Sequence, residues 1–185
     1  MKNALKLILL VVALSFFGVT SAQKSKINCN YVDATTLTII NKAQDDGLQL
    51  KRIDESKYDA PKGAKRFFSQ STGLAVAFRT DSRAIHARWT TTSKKLGSNM
   101  TPVFHSGLDL YIRLDGEWVF AGVGRPNTLG TEHEFTLIKR MAEGEKECLI
   151  YLPMFNGVSS LEIGVDKGAK IEADRKSTRL NSSHR

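Results

Sequence analysis

The stretch from Gly107 to Val123 limits the folds open to this chain more than any other feature. Leu108, Leu110, Ile112 and Leu114 fall on every second position, and Asp109, Tyr111 and Arg113 fall between them. A period of two belongs to a strand with one face on a core and the other turned away from it. Asp115-Gly116 follows, the pair suited to a two-residue hairpin whose central positions both need positive φ. Trp118-Val119-Phe120-Ala121 then returns as the partner strand.

Shorter runs of the same kind occur along the body. Leu37 to Ile40 is the first. In Gly73 to Phe78, Leu74, Val76 and Phe78 face one way and Ala75 and Ala77 the other; such small residues indicate that the second face is covered too. Ile85, Ala87 and Trp89 alternate with His86, Arg88 and Thr90, as in a strand with one wet face. Phe135 and Leu137, Cys148 to Leu152 (stopped by Pro153), and Leu161, Ile163 and Val165 complete about eight strands. The polar stretch from Lys42 to Lys65, with Asp45-Asp46-Gly47 and Pro61-Lys62-Gly63 as turn signals, reads as a long loop holding one short strand. Gly122-Val123-Gly124-Arg125-Pro126-Asn127 reads as a turn. No helical period persists, so the fold expected is all-β, an antiparallel β-sandwich.

The two ends stand apart from this body. Lys2 and Lys6, an uncharged run from Leu7 to Val19, and Thr20-Ser21-Ala22 have the pattern of a secretory signal peptide over residues 1–22. The run has 13 residues, short of the ~20 of a spanning helix, so no stable membrane insertion is expected. Asp174 to His184 (DRKSTRLNSSH) resembles the translated read-through of a sequencing-library adaptor, so residues 174–185 are expected to be foreign to the fold and the natural frame to run on past Ala173. That leaves residues 23–173 as the domain, exported to the periplasm or the cell exterior. Arg175, Lys176, Arg179 and Arg185 against Asp174, with Lys2 and Lys6, hold five of the eight net positive charges. The remaining three are too few to indicate a nucleic-acid partner.

Cys29 and Cys148 could pair in an oxidising compartment, or Cys148 could sit as a small buried thiol in its apolar strand. No residue set points to a metal or a cofactor. Glu132-His133-Glu134 puts its carboxylates on one strand face and its imidazole on the other. An ester hydrolase of the Ser-His-Asp kind needs a nucleophilic serine, a histidine that takes its proton, and an acid that orients the histidine. Neither a Gly-Asp-Ser block nor an Asp-x-x-His pair occurs, nor a Gly-x-Ser-x-Gly elbow. His86, His105 and His133 stand singly, so no catalytic residue is assigned.

Gly107-Leu108-Asp109-Leu110-Tyr111 resembles the GxDLY motif of a domain that precedes SGNH (GDSL-type) hydrolases in exported, carbohydrate-esterase-like bacterial proteins. The resemblance extends from Tyr31 to Glu172. It takes in Asp33 to Thr38, Gly73 to Thr80, Glu147 to Pro153 and Gly164 to Ala169. It implies a jelly-roll-like sandwich, an accessory role without catalysis, and a C-terminal SGNH catalytic domain as partner. A free-standing carbohydrate-binding module is the alternative, which coplanar exposed aromatics on one sheet face would favour.

Asp109, Tyr111, Trp118, His105 and Arg125 are the residues expected at an interface or ligand site. For Asp109 the plain expectation is hydrogen bonds to loop amides, and for Tyr111 packing at the sheet rim. The sharper one is an interface with the catalytic domain or a groove beside its active site, with Tyr111, Trp118 and Pro153-Met154-Phe155 forming an apolar patch. Trp118 is open between core and exposed platform.

Overall fold

A computed structural model of the chain describes residues 27–42, 47, 49–128 and 130–174. The signal-peptide and adaptor expectations lie outside them, apart from Asp174.

Among the described residues, ten strands form two antiparallel sheets. One sheet has the order β1 (Asn30–Asp33), β9 (Val158–Val165), β4 (Ile85–Thr91), β7 (Glu132–Ile138). The other runs β10 (Ile171–Ala173), β3 (Ala75–Thr80), β8 (Lys146–Tyr151), β5 (Leu108–Leu114), β6 (Glu117–Gly124), with β2 (Thr38–Ile40) also on β3. β10 and β2 share one edge: β10 pairs with Phe78 to Thr80, and β2 with Ala75 to Ala77. They meet where the Asp174 amide donates to the Ala77 carbonyl and the Thr38 hydroxyl to the Asp174 carbonyl at 3.0 Å.

The core lies between the sheets. Ile85, Ala87, Trp89, Leu161 and Ile163 meet Val76, Phe78, Leu108, Leu110, Ile112, Cys148 and Ile150. Trp89, the largest buried side chain, donates its indole N–H to the Ser106 carbonyl at 2.9 Å. Burying side chains of this size gives roughly 1.5–3 kcal/mol each. The hairpin is the one expected: Asp115 and Gly116 both have positive φ, 50° and 87°.

Several expectations are corrected. β1 and β10 were not foreseen; they are four and three residues long and take their place only by pairing with distant strands. The loop from Lys42 to Lys65 shows no strand among its described residues. The Pro61 signal instead caps a helix, α1 (Lys62–Phe68), the Pro61 carbonyl accepting from the Ala64 and Lys65 amides that open it. A second short helix, α2 (Pro102–Ser106), begins at Thr101, whose hydroxyl accepts from the Phe104 amide. Gly122 to Gly124 is no turn but the end of β6. The glycines serve close approach there: a Cβ on Gly122 would lie 2.3 Å from the Leu137 carbonyl oxygen of β7, so the two sheets nearly touch along this side. Cys29 and Cys148 are both free thiols, and Cys148 is buried in the core on β8.

Candidate functional site

The outward face of the six-stranded sheet is built in rungs across its strands. The pairings put Ala75, Tyr151, Asp109 and Val123 in one rung, Ala77, Leu149, Tyr111 and Phe120 in the next, and Arg79, Glu147, Arg113 and Trp118 in the third. The register shifts between Leu110 and Tyr111, so that Ala121 is an extra residue in β6. This bulge sets Phe120 directly opposite Tyr111. Without it, alternation would turn Phe120 and Trp118 inward.

The face is apolar at its centre and charged along one side. Ala75 and Ala77, fully buried although they point away from the core, cluster with Leu149, Ile40, Tyr111 and Tyr151. This bears out the expectation of a sheet covered on both faces. Tyr111 stands edge-on to Phe120 and to Tyr151, each with a centroid separation of 5.7 Å, an arrangement that aromatic quadrupoles favour. Phe120 is 55% exposed. Trp118 belongs to this face and not to the core; the Arg113 guanidinium lies 5.9 Å from its ring centroid. Arg113 pairs with Glu147 at 3.0 Å, and Arg79 with Glu145 at 3.0 Å and Glu172 at 3.5 Å. Such exposed pairs contribute little stability, about 0–1 kcal/mol each.

Asp109 sits beside Tyr151 in the first rung. Its side chain is exposed, yet the groups around it withdraw enough water to push its carboxyl above the ordinary range. Among the described residues it accepts no hydrogen bond, so the loop amides expected for it are not there. Tyr111 packs in mid-sheet, one strand in from the edge, and not at the rim.

His105 lies elsewhere, in a polar network at the end of the sandwich. Its Nδ1 is 2.7 Å from the Ser106 hydroxyl, which also accepts from the Asn156 amide at 2.9 Å. Asn156 further donates to the Ser93 carbonyl at 2.6 Å. His133 Nδ1 accepts from the Asn127 amide at 3.0 Å, so its Nε2 carries the proton and donates to Thr91 Oγ1 at 3.0 Å. His86 Nδ1 meets Thr136 Oγ1 at 2.8 Å. Burial pushes all three imidazoles below the ordinary value of 6.5.

Each histidine is thus tied to a hydroxyl, and none hydrogen-bonds a carboxylate among the described residues. His105 and Ser106 touch, but both are buried and the serine oxygen is engaged by Asn156. The cleft between His105, His133, Lys94 and Thr128 measures about 80 Å³, well under the roughly 300–1,000 Å³ of small-molecule pockets. Arg125 stacks over Phe135 at 4.9 Å.

The structure therefore brings Asp109, Tyr111 and Trp118 onto one face and leaves His105 and Arg125 outside it. Sequence reasoning missed Phe120 and Tyr151 there. Tyr151 was legible, since alternation with Cys148 and Ile150 turns it outward; the facing of Phe120 depends on the bulge. Phe104 and Phe155, 4.9 Å apart with Met154 exposed nearby, form a second apolar cluster beyond the strand ends.

The outer face of the other sheet is polar. Arg88 lies 3.4 Å from the Tyr31 ring centroid, between Glu134 at 3.4 Å and Glu162 at 3.8 Å. The Tyr31 hydroxyl donates to Glu134 at 2.9 Å.

Comparison with known proteins gives one family model, GxDLY, described as the N-terminus of SGNH-hydrolase-type esterases, over residues 29–171. Among solved structures, one designated a GDSL-like lipase from Bacteroides ovatus is 42% identical with a TM-score of 0.76. The match covers 80% of this chain and 44% of that one. A salicylyl-acyltransferase from a tetracycline biosynthetic pathway is 23% identical with a TM-score of 0.56, covering 80% and 42% respectively, a likeness of fold alone. Curated proteins gave no match. The chain thus spans less than half the length of either solved neighbour.

Proposed function

The chain belongs to the family of GxDLY domains that form the N-terminus of SGNH-hydrolase-type esterases, and from that premise we propose that it is the non-catalytic accessory domain of an exported ester hydrolase acting on acylated carbohydrate. The observation that carries this reading is the division of the longer neighbours. The sandwich matches 44% of the Bacteroides ovatus chain, and no serine, histidine and carboxylate are assembled among the described residues here. The hydrolytic chemistry then belongs to a segment that follows the sandwich. The accessory domain positions that segment or extends its substrate cleft.

The alternative, a free-standing sugar-binding module, needs a flat aromatic platform. Tyr111 meets Phe120 and Tyr151 at interplanar angles of 76° and 81°, which supports the accessory reading. The test is turnover of activated acetyl esters by the purified chain, beside the intact polypeptide encoded by its gene. A positioned histidine base is worth ~10²–10⁴-fold, so a working site would be visible. The expected result is no turnover by the chain above a buffer control and clear turnover by the intact polypeptide. Activity of the chain itself that is lost on His105→Gln overturns the reading.

A further inference from the structure

We propose that the cleft at the end of the sandwich beside His105 and Lys94 binds the carboxylate of a small organic acid, one oxygen on the His105 Nε2–H and the other on the Lys94 ammonium. The site stands on its own geometry and not on the accessory-domain reading.

Main chain settles the orientation of Asn156. Its Oδ1 accepts from the Ser93 amide at 3.2 Å, and its Nδ2 donates to the Ser93 carbonyl at 2.6 Å. A flipped side chain would set N–H against N–H and oxygen against oxygen. So fixed, Nδ2 also donates to the Ser106 hydroxyl at 2.9 Å and lies 3.4 Å from His105 Nδ1. Ser106 Oγ is an acceptor toward Asn156, which leaves its hydrogen to point at His105 Nδ1, 2.7 Å away. Two donors thus converge on Nδ1, and the ring proton sits on Nε2.

That Nε2–H is a donor in want of an acceptor. His105 is only 7% exposed, and its Nε2 has no hydrogen-bond partner among the described residues. Nor is the atom sealed in: among the described residues, the fully enclosed side-chain nitrogen or oxygen without a partner is Arg88 Nε. His105 Nε2 therefore opens onto the cleft that its ring lines. Buried polar groups are as a rule satisfied, and what satisfies this one comes from outside the chain.

Charge and size narrow the ligand. Lys94 is exposed at the mouth and makes no ion pair among the described residues. No Asp or Glu lines the cleft among them. The second imidazole there, His133, has both nitrogens in use, on the Asn127 amide and the Thr91 hydroxyl. Burial holds both imidazoles below the ordinary 6.5, so at neutral pH the cleft carries the single positive charge of Lys94. A carboxylate balances that charge and matches two donors with two oxygens; a phosphate dianion would leave further oxygens without donors. Leu96, Pro102 and Pro126 supply apolar wall for the carbon attached to it. The volume is about 80 Å³, and a cavity of roughly 150 Å³ takes benzene, so the enclosed part is a carboxylate with a carbon or two.

The test is nitrogen-15 NMR of the histidine-labelled chain at neutral pH. Without ligand, His105 is expected to show a protonated Nε2 and a bare Nδ1. Sodium acetate is then titrated in, with sodium chloride holding the ionic strength constant. The expected result is a saturable shift at His105 and none at His86. Lys94→Gln, at an exposed position that leaves the fold intact, is expected to weaken the binding at least ~10-fold, as loss of a charge-assisted hydrogen bond does. Sodium glucuronate is the second arm. Saturation by it as well as by acetate marks the ligand as the end of a sugar acid, and saturation by acetate alone marks a free short-chain acid; either result bears out the carboxylate site. A proton on His105 Nδ1, a shift that does not saturate or that chloride reproduces, or an affinity untouched by Lys94→Gln overturns it.

Discussion

Replacing Gly122 with alanine puts a methyl group where the backbone of the next sheet already lies. The Cβ would sit 2.3 Å from the Leu137 carbonyl oxygen and 3.1 Å from its carbon, against the 3.0 Å that Cβ atoms keep. The obstacle is main chain, so no rotamer change relieves it; β6 and β7 must part by at least the missing 0.7 Å. That movement loosens Leu110, the cross-strand partner of Gly122, and Leu137, both buried. Overpacking of this kind costs about 1–3 kcal/mol, against which a restricted unfolded chain returns about 0.4–1 kcal/mol. The expected net loss is about 1–2 kcal/mol. The assay is urea unfolding followed by tryptophan fluorescence. Gly63→Ala is the control: that residue lies in α1 with nothing within 4 Å of the added Cβ, and alanine there is expected to stabilise by about 0.5–1 kcal/mol. A Gly122→Ala variant as stable as the parent would refute the close contact between β6 and β7.

Burial lowers the pKa of His86, His105 and His133 below 6.5, so as pH falls through 6.5 the unfolded chain takes up protons that the folded one refuses. Stability is expected to be full above that pH and to decline toward pH 5, with His133→Gln reducing the slope in a series of unfolding midpoints; a flat profile counts against buried neutral imidazoles. The Ser71 hydroxyl donates to the Leu50 carbonyl at 2.7 Å and accepts from the Val158 amide at 2.9 Å, so Ser71→Ala is expected to cost about 1–3 kcal/mol in the same unfolding assay. Burial pushes the Cys148 thiol up to about 12, so in the native state Ellman's reagent at pH 8 is expected to titrate Cys29 alone, and slowly, since burial raises its pKa too; rapid reaction of two thiols would contradict the buried position of Cys148.

Local signals decided what the sequence revealed. The hairpin from Gly107 to Val123 was legible because its alternation and its turn pair lie within one stretch. The small outward face of Ala75 and Ala77 was legible for the same reason. β1 and β10 were not, since three or four residues carry too little periodicity and their partners are remote in sequence. The start of α2 was marked by Thr101-Pro102, a cap followed by proline, but five residues show no helical period. Gly122 and Gly124 were taken for turn residues because glycine signals either positive φ or close approach, and only the neighbouring strand tells which. The aromatic face was half visible: Tyr111 followed from its own strand, whereas the facing of Phe120 hangs on one extra residue in β6.

The place of β9 between β1 and β4 governs when the molecule acquires its structure. β9 is nearly the last strand to be synthesised, yet it is the only described link from β1 to the rest of its sheet. Until Val165 has emerged from the ribosome, β4 keeps an open edge and Trp89 lacks Leu161 and Ile163 behind it. Folding is therefore a late and cooperative event dominated by contacts between distant parts of the chain, which makes it slow. A nascent chain halted at Gly157 could pair β4 with β7 on one side but would leave its other edge open to its neighbours. Until its ninth strand arrives such a polypeptide exposes that edge to association with other chains.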